Sequence, residues 1–243
     1  MQIFFAPDIA GDLYELGEKE SRHAVKALRM VSGEAIKLID GRGNLYEGVV
    51  LRADPKACRI SITSVTPDFE KRGYNLHIAI SPLKNPERLE WFVEKSVELG
   101  IDEITPLICH NSEKKSIREE RLRSIIISAM KQSLKARATV LHKACSFAGF
   151  IHESRSGKLM IAHCNAEPGK KGIEEVYGKG ENAVILIGPE GDFTAEEVSN
   201  SVLSGYTPVH LGQSRLRTET AGVAACHSVY FINLKKISIC PLS

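Results

Sequence analysis

The apolar positions of this chain change period near residue 74. Before that point they form short runs or alternate, over residues 1–6, 34–40, 45–53 and 58–65. The breaks between them, Gly41-Arg42-Gly43-Asn44 and Asp54-Pro55-Lys56, are hairpin-type turns, so these runs read as strands. Residues 20–30 alone in this region resemble a helix, with Ala24, Leu28 and Val31 at helical spacing. A small β-barrel carrying one helix is the expectation. Residues 66–73 are polar, punctuated and aperiodic, and read as a linker.

From Tyr74 onward short apolar strands alternate with longer amphipathic stretches. Residues 76–80, 104–109, 140–144, 159–163, 184–187 and 208–211 read as strands. Asn85 followed by Pro86 is a helix start, Leu89, Phe92, Val93 and Val97 form one apolar stripe, and Gly100 ends the helix. Residues 118–134 form a long helix with Leu122, Ile125, Ile126 and Ala129 inside, and 223–234 a final one. This alternation predicts an α/β fold with a mostly parallel sheet. The expected division is a barrel over 1–70 and an α/β unit over 74–243.

Two corners in the last third carry the densest signals. The apolar run 183–187 stops at Gly188-Pro189-Glu190-Gly191, after which Thr194 and Glu197 have capping-box spacing. A second strand leads into Gly212-Gln213-Ser214-Arg215-Leu216-Arg217-Thr218-Glu219-Thr220-Ala221. Two strand–turn–helix units in succession imply parallel strands whose turns share one edge of the sheet, the edge where open α/β sheets bind ligands. Glycines there let backbone approach a ligand closely. Arg215 and Arg217 would stabilise an anion or a developing negative charge. Glu219 has three possible roles: favouring the helix N-terminus, which ranks first, pairing with an arginine, or accepting a proton.

Composition narrows the class. With 43% apolar and 26% charged residues the chain can build a sizeable core, and a net charge of +2 is too small to mark a nucleic-acid binder by itself. The six cysteines are scattered without a C-x-x-C, which points to reduced thiols rather than a disulfide scaffold or zinc site. With no signal-peptide pattern and no long apolar span, a cytoplasmic protein is expected. Lys114, Lys115, Arg118, Arg121, Arg123, Lys131, Lys135, Arg137 and Lys143 concentrate positive charge, either as a solvated helix face or as a phosphate-contacting surface. The histidines lack H-x-x-x-H spacing, so no metal is expected, and His163 at the end of a strand reads as a packed residue. His23 and Arg29 share a side only if their helix is regular. G-x-S-x-G, Walker A and G-x-G-x-x-G are all missing, which removes support for acyl transfer, nucleotide hydrolysis and Rossmann cofactor binding.

With these residues laid out, the chain resembles the RsmE-type methyltransferases of the SPOUT superfamily, which methylate N3 of a uridine in 16S rRNA with S-adenosylmethionine. The resemblance rests on His23 with Leu28-Arg29-Met30 and on Asp40-Gly41-x-Gly43. It continues through Lys84, Arg88, Glu90, Lys95 and Glu98-Leu99-Gly100. It is most specific in Leu186-Ile187-Gly188-Pro189-Glu190-Gly191, Leu211-Gly212 and Arg215-Leu216-Arg217-Thr218-Glu219-Thr220-Ala221. Three departures from the family pattern stand out: Asp192 where it has Gly, Lys131-Gln132-Ser133-Leu134-Lys135 where it has Glu-Gln-Ser-Gly-Arg, and Asn111-Ser112 where it has Arg-Ser.

The resemblance implies a PUA-like barrel followed by an α/β domain with a trefoil knot, working as a homodimer on 16S rRNA or the small subunit, with no membrane partner. It implies that Ile187, Gly188, Pro189, Glu190, Gly191, Leu211, Gly212, Ser214, Leu216, Arg217, Thr218 and Thr220 hold the cofactor. His23, Arg29, Lys84, Arg88 and Gln132 are its implied RNA contacts, and Arg215, Arg217 and Glu219 its catalytic candidates. A ribose 2′-O-methyltransferase, or a non-enzymatic rRNA-binding assembly factor, are the alternative readings.

Overall fold

The computed structural model describes residues 2–164 and 170–234; Cys240 lies outside them. Contacts group residues up to Lys71 with Ile126–Ala138 as one compact unit, and Arg72–Ile125 with residues from Thr139 onward as a second.

The first unit contains β1 (Ile3–Phe5), β2 (Leu13–Glu15), α1 (Glu18–Arg22), β3 (Ala35–Ile39), β4 (Leu45–Arg52) and β5 (Arg59–Thr66). They form one sheet in the order β1-β3-β4-β5-β2, antiparallel except for β1 beside β3. Register shifts between Glu47 and Gly48 and between Val50 and Arg52 bend β4, which curls a small sheet around its core. Gly48 is needed at the first shift, since a Cβ there would lie 2.5 Å from the Ser61 carbonyl oxygen. Phe4, Leu16, Leu38, Val50 and Ile60 fill the interior.

β2 was not expected from the sequence. Its three residues are exposed or half-buried edge positions and carry no alternation to read. The helix expected over 20–30 begins at Glu18 and widens into a π-turn over His23–Ala27, after which Arg29 adopts a left-handed φ of 58°. His23 and Arg29 therefore do not sit on a regular helix. The Asp40-Gly41-x-Gly43 motif is a structural turn. Burial pushes the Asp40 carboxyl up, but hydrogen bonds from Asn44 and Arg42 outweigh burial and hold it below its ordinary range. Gly43 N donates to Ala136 O and Ala138 N to Gly41 O, which is why 126–138 joins this unit although it falls within 74–243.

In chain order the remaining elements are β6 (Leu76–Ile80), α2 (Pro86–Leu99), β7 (Glu103–Ile108), α3 (Glu119–Gln132), β8 (Val140–Leu141), β9 (Cys145–Ser146), α4 (Phe147–His152), β10 (Lys158–Ala162), β11 (Lys171–Gly172), α5 (Ile173–Val176), β12 (Ala183–Ile187), α6 (Ala195–Leu203), β13 (Thr207–His210) and α7 (Thr218–Asn233). The second unit is one all-parallel sheet in the order β11-β13-β10-β12-β6-β7-β8, with β9 also on β7. Its central strands β6 and β12 are buried at every position, as strands covered on both faces must be.

Local chemistry explains the helices that position the site. Asn85 Oδ1 accepts from Glu87 N at 2.9 Å, Pro86 opens α2, and Gly100 closes it with φ 92°. Gly222 lets α7 press onto α2, since a Cβ there would lie 2.5 Å from Phe92 Cε2. Two expected boundaries are corrected. Of the strand expected over 140–144 only β8, Val140–Leu141, forms, and β9 begins beyond it at Cys145; between them His142 turns its ring onto Glu103. The last helix begins at Thr218 rather than 223, because its first turn is polar while its buried side starts with Thr218 and Glu219. Among the described residues no helix is long and apolar enough to cross a membrane.

Candidate active site

Strands β12 and β13 flank β10, all parallel, so both glycine corners emerge at the carboxyl edge of the sheet. They meet around a cavity of about 720 Å³, a volume suited to a cofactor-sized ligand.

The first corner is held from several sides. Ser81 N donates to Ile187 O at 3.1 Å, and Lys84 N to Glu190 Oε1 at 3.1 Å. Asn111 Nδ2 donates to Gly191 O at 3.2 Å and Asp192 O at 3.0 Å. Asp192 takes the left-handed φ of 61° that a glycine would adopt at no steric cost. Its carboxylate accepts from Cys164 N at 2.7 Å, tying the corner to the end of β10. The expected capping box is present, with Glu197 N on Thr194 Oγ1 at 3.1 Å and Thr194 N on Glu197 Oε2 at 2.9 Å.

The second corner is looser. Gly212, at φ 107°, donates to His210 Nδ1 at 3.3 Å, and Ala221 N donates to Arg217 O at 2.7 Å as α7 begins. Gly212, Gln213, Ser214, Arg215 and Arg217 are exposed. Arg217 occupies the N-cap position without a side-chain cap, so first-turn amides of a sixteen-residue helix are left to other partners.

Of the residues implied for the cofactor, Ile187, Gly188, Pro189, Glu190, Leu211, Gly212, Ser214, Leu216, Arg217 and Thr218 line this cavity, and Arg215 and Arg88 line it too. Gly191 does not line it; the space beside it is occupied by Asn111, whose Cβ would be 3.2 Å from a Cβ at 191. Thr220 and Glu219 line a second cavity of about 630 Å³. Arg88, Arg215, Leu216 and Arg217 border both cavities, and Trp91 stands in the second. The Glu219 carboxylate is buried, 3.7 Å from Arg88 Nε.

The sequence reading missed the contribution of β10. Ala162, His163 and Cys164, with Lys170, complete the cavity wall. The carboxyl-edge rule applied to the strand before these residues would have found them. His163 is buried, as expected of a packed histidine, and Lys170 Nζ donates to its carbonyl at 2.7 Å.

The implied RNA contacts fall into separate settings. His23, with Lys19, Arg22, Lys26 and Lys131, borders an open cavity of about 830 Å³ in the first unit, which neither Arg29 nor Gln132 lines. Arg29, Gln132 and Lys84 are exposed. Much of the basic stretch is ion-paired: Arg121 to Glu90 at 3.0 Å, Lys131 to Glu20 at 2.7 Å and Arg137 to Asp68 at 3.3 Å. Of these, Arg137–Asp68 is exposed on both sides and contributes little to stability.

A family model for the RNA methyltransferase domain matches residues 70–230, and one for the RNA methyltransferase PUA domain matches 16–63. The chain belongs to this RNA methyltransferase family. The methyltransferase is similar to the ribosomal RNA small subunit methyltransferase E of Rickettsia conorii, with 26% identity over 88% of each chain. Its fold is shared by a crystal structure from Porphyromonas gingivalis described as a "probable rRNA-methyltransferase", at TM-score 0.91 and 39% identity over 96% of this chain and 98% of that one. It is also shared by a ribosomal RNA small subunit methyltransferase E of Neisseria gonorrhoeae bound to S-adenosyl methionine, at TM-score 0.84 and 25% identity over 96% and 98%. The methyltransferase domain thus carries both glycine corners, and the PUA-domain match falls on the curled sheet.

Proposed function

We propose that this protein is an S-adenosylmethionine-dependent 16S rRNA methyltransferase that methylates N3 of a uridine. The observation that carries the reading is the cavity closed by the two glycine corners, with Arg215 and Arg217 in its wall.

The residues present fit the cofactor. Ala162, Ile187, Val209, Leu211 and Leu216 supply apolar lining, while the corners bring backbone donors and acceptors within reach. A sulfonium cofactor supplies an already activated methyl group, so the chain is left mainly with alignment. The harder task is the N3 proton. With an N3 pKa about two to three units above neutral, deprotonation costs roughly 3–4 kcal/mol. Arg215 or Arg217, beside the carbonyl oxygens flanking N3, would lower that cost by favouring the uracil anion. Glu219 is the proposed proton acceptor, reached from the second cavity, with Arg88 Nε 3.7 Å from its carboxylate. The base must be unpaired and turned out to reach these groups.

His23, Arg29, Lys84, Arg88 and Gln132 are proposed to hold the surrounding rRNA, mostly through phosphate, which orients without reading sequence. A knotted carboxyl end, a homodimer and a cytoplasmic location complete the reading. Exposed Trp91 on α2, beside the start of α7, supports a face that a second copy covers.

The test is nucleoside mass spectrometry of rRNA and of assembled small subunits incubated with the protein and labelled cofactor. N3-methyluridine is expected; label in a ribose 2′-O-methyl nucleoside, or none, rejects the assignment.

A further inference from the structure

The amino edge of the parallel sheet carries a cluster that methyl transfer does not use. His77 is the second residue of β6, Glu103 the first of β7, and His142 follows β8. His77 and Glu103 are register partners on adjacent strands, and β8 lies on the other side of β7. Three residues remote in sequence thus converge, with their ligating atoms all within 4.8 Å of one another.

We propose that His77, Glu103 and His142 bind a divalent transition-metal ion of the zinc type. Two imidazoles and one carboxylate are a donor set that suits zinc among common divalent ions, whereas magnesium and calcium prefer all-oxygen shells. Two of the three separations are close to those required, and the third is within 4.8 Å. Ligands of tetrahedral zinc at about 2.0–2.1 Å stand roughly 3.3 Å apart. His77 Nδ1 is 3.8 Å from Glu103 Oε2, and His142 Nε2 is 2.6 Å from the same oxygen. Closing the first distance and opening the second each takes under about 1 Å, a side-chain adjustment.

The surroundings already orient the ligands. His77 Nε2 lies 2.7 Å from the buried Thr105 hydroxyl. With Thr105 accepting that N–H, Nδ1 keeps its lone pair facing Glu103, the outer-shell arrangement that fixes the tautomer of a ligating histidine. Phe150 packs edge-on against the His77 ring at 5.4 Å and holds its plane. Glu103 and His142 are partly exposed, leaving an approach for the ion and room for water to complete its shell. Arg155, stacked on the Phe150 ring at 3.8 Å, places a positive charge nearby and works against binding, so moderate rather than extreme affinity is expected. A bound ion would clasp β6, β7 and the chain after β8 at the edge opposite the cofactor cavity.

The experiment uses the full chain, stripped with a chelator and titrated with zinc alone and cobalt alone. One equivalent of zinc should bind and raise Tm by several degrees. Cobalt should give visible d–d bands without the near-ultraviolet thiolate band. His142→Ala and Glu103→Gln should each weaken zinc binding at least tenfold while leaving adenosylmethionine affinity as in the wild type, which also certifies their fold. The proposal is overturned if the wild type takes up no stoichiometric zinc, if either variant binds it equally well, or if cobalt shows the thiolate band of a site built on cysteine.

Discussion

The two corners that frame the cavity are built on opposite terms. The one at Gly188-Pro189-Glu190-Gly191-Asp192 is tied by side-chain or backbone bonds to the loop after β6, to Asn111 beyond β7 and to the end of β10. Between Gly212 and Arg217, among the described residues, the bonds are few and every residue but the half-buried Leu216 is exposed. One wall is set before a ligand arrives, and the other is free to adjust and carries the cations. A rigid wall lowers the ordering cost of binding, and a pliable one lets substrate and product exchange.

The contrast is broken most decisively by Arg217→Ala. If the loose corner holds the chemistry, turnover should drop by about 10²–10³-fold, the loss typical of removing one donor to a developing anion. Cofactor affinity by calorimetry should stay within several-fold; unchanged turnover would move the chemistry elsewhere. Next in size is Gly222→Val. With few bonds of its own, the loose corner takes its place from the seat of α7 on Phe92. Overpacking there should cost about 3 kcal/mol and lower Tm by roughly 6–12 °C at 2–4 °C per kcal/mol. A melting curve like that of the wild type would show that the helix does not need this close approach.

A smaller effect sharpens the other side. Asp192→Gly and Asp192→Ala both lose the bond from Cys164 N, but alanine keeps the left-handed strain. Denaturant titration should find the alanine variant less stable than the glycine variant by about 1 kcal/mol; equality would mean the backbone relaxes. The mildest readout is hydrogen exchange with and without adenosylmethionine. Amides of 212–217 should gain about tenfold protection and those of 188–192 little. Equal gains would erase the distinction between the walls.

What could be read without coordinates follows the range of the interactions involved. Asn85-Pro86 to Gly100 and the Thr194–Glu197 box encode their helix ends within a few residues, and the structure places them there. The buried runs of β6 and β12 announce a parallel sheet. The π-turn at His23 follows no local rule; the helix before it is anchored by Ser21 Oγ, which donates to Leu16 O and accepts from Cys58 N. Most of the cavity-lining residues lay in two contiguous motifs and were legible; the wall from β10 was hidden because His163-Cys164 forms no motif. His77, Glu103 and His142 were invisible for the same reason, since only strand order brings them together. Asp192 shows the reverse case, a non-glycine residue that holds a left-handed backbone angle.

Asn111 and Gly191 illustrate what such packing does to a lineage. The residue whose amide secures the first corner also sets its Cβ 3.2 Å from where a Cβ at 191 would stand. These two sites, eighty positions apart, therefore form a single steric choice. A Cβ at 191 requires Asn111 to give by a few tenths of an ångström, so substitutions at the two positions should couple. Swapping in a relative's residue at 111 alone would test that interdependence through a double-mutant cycle.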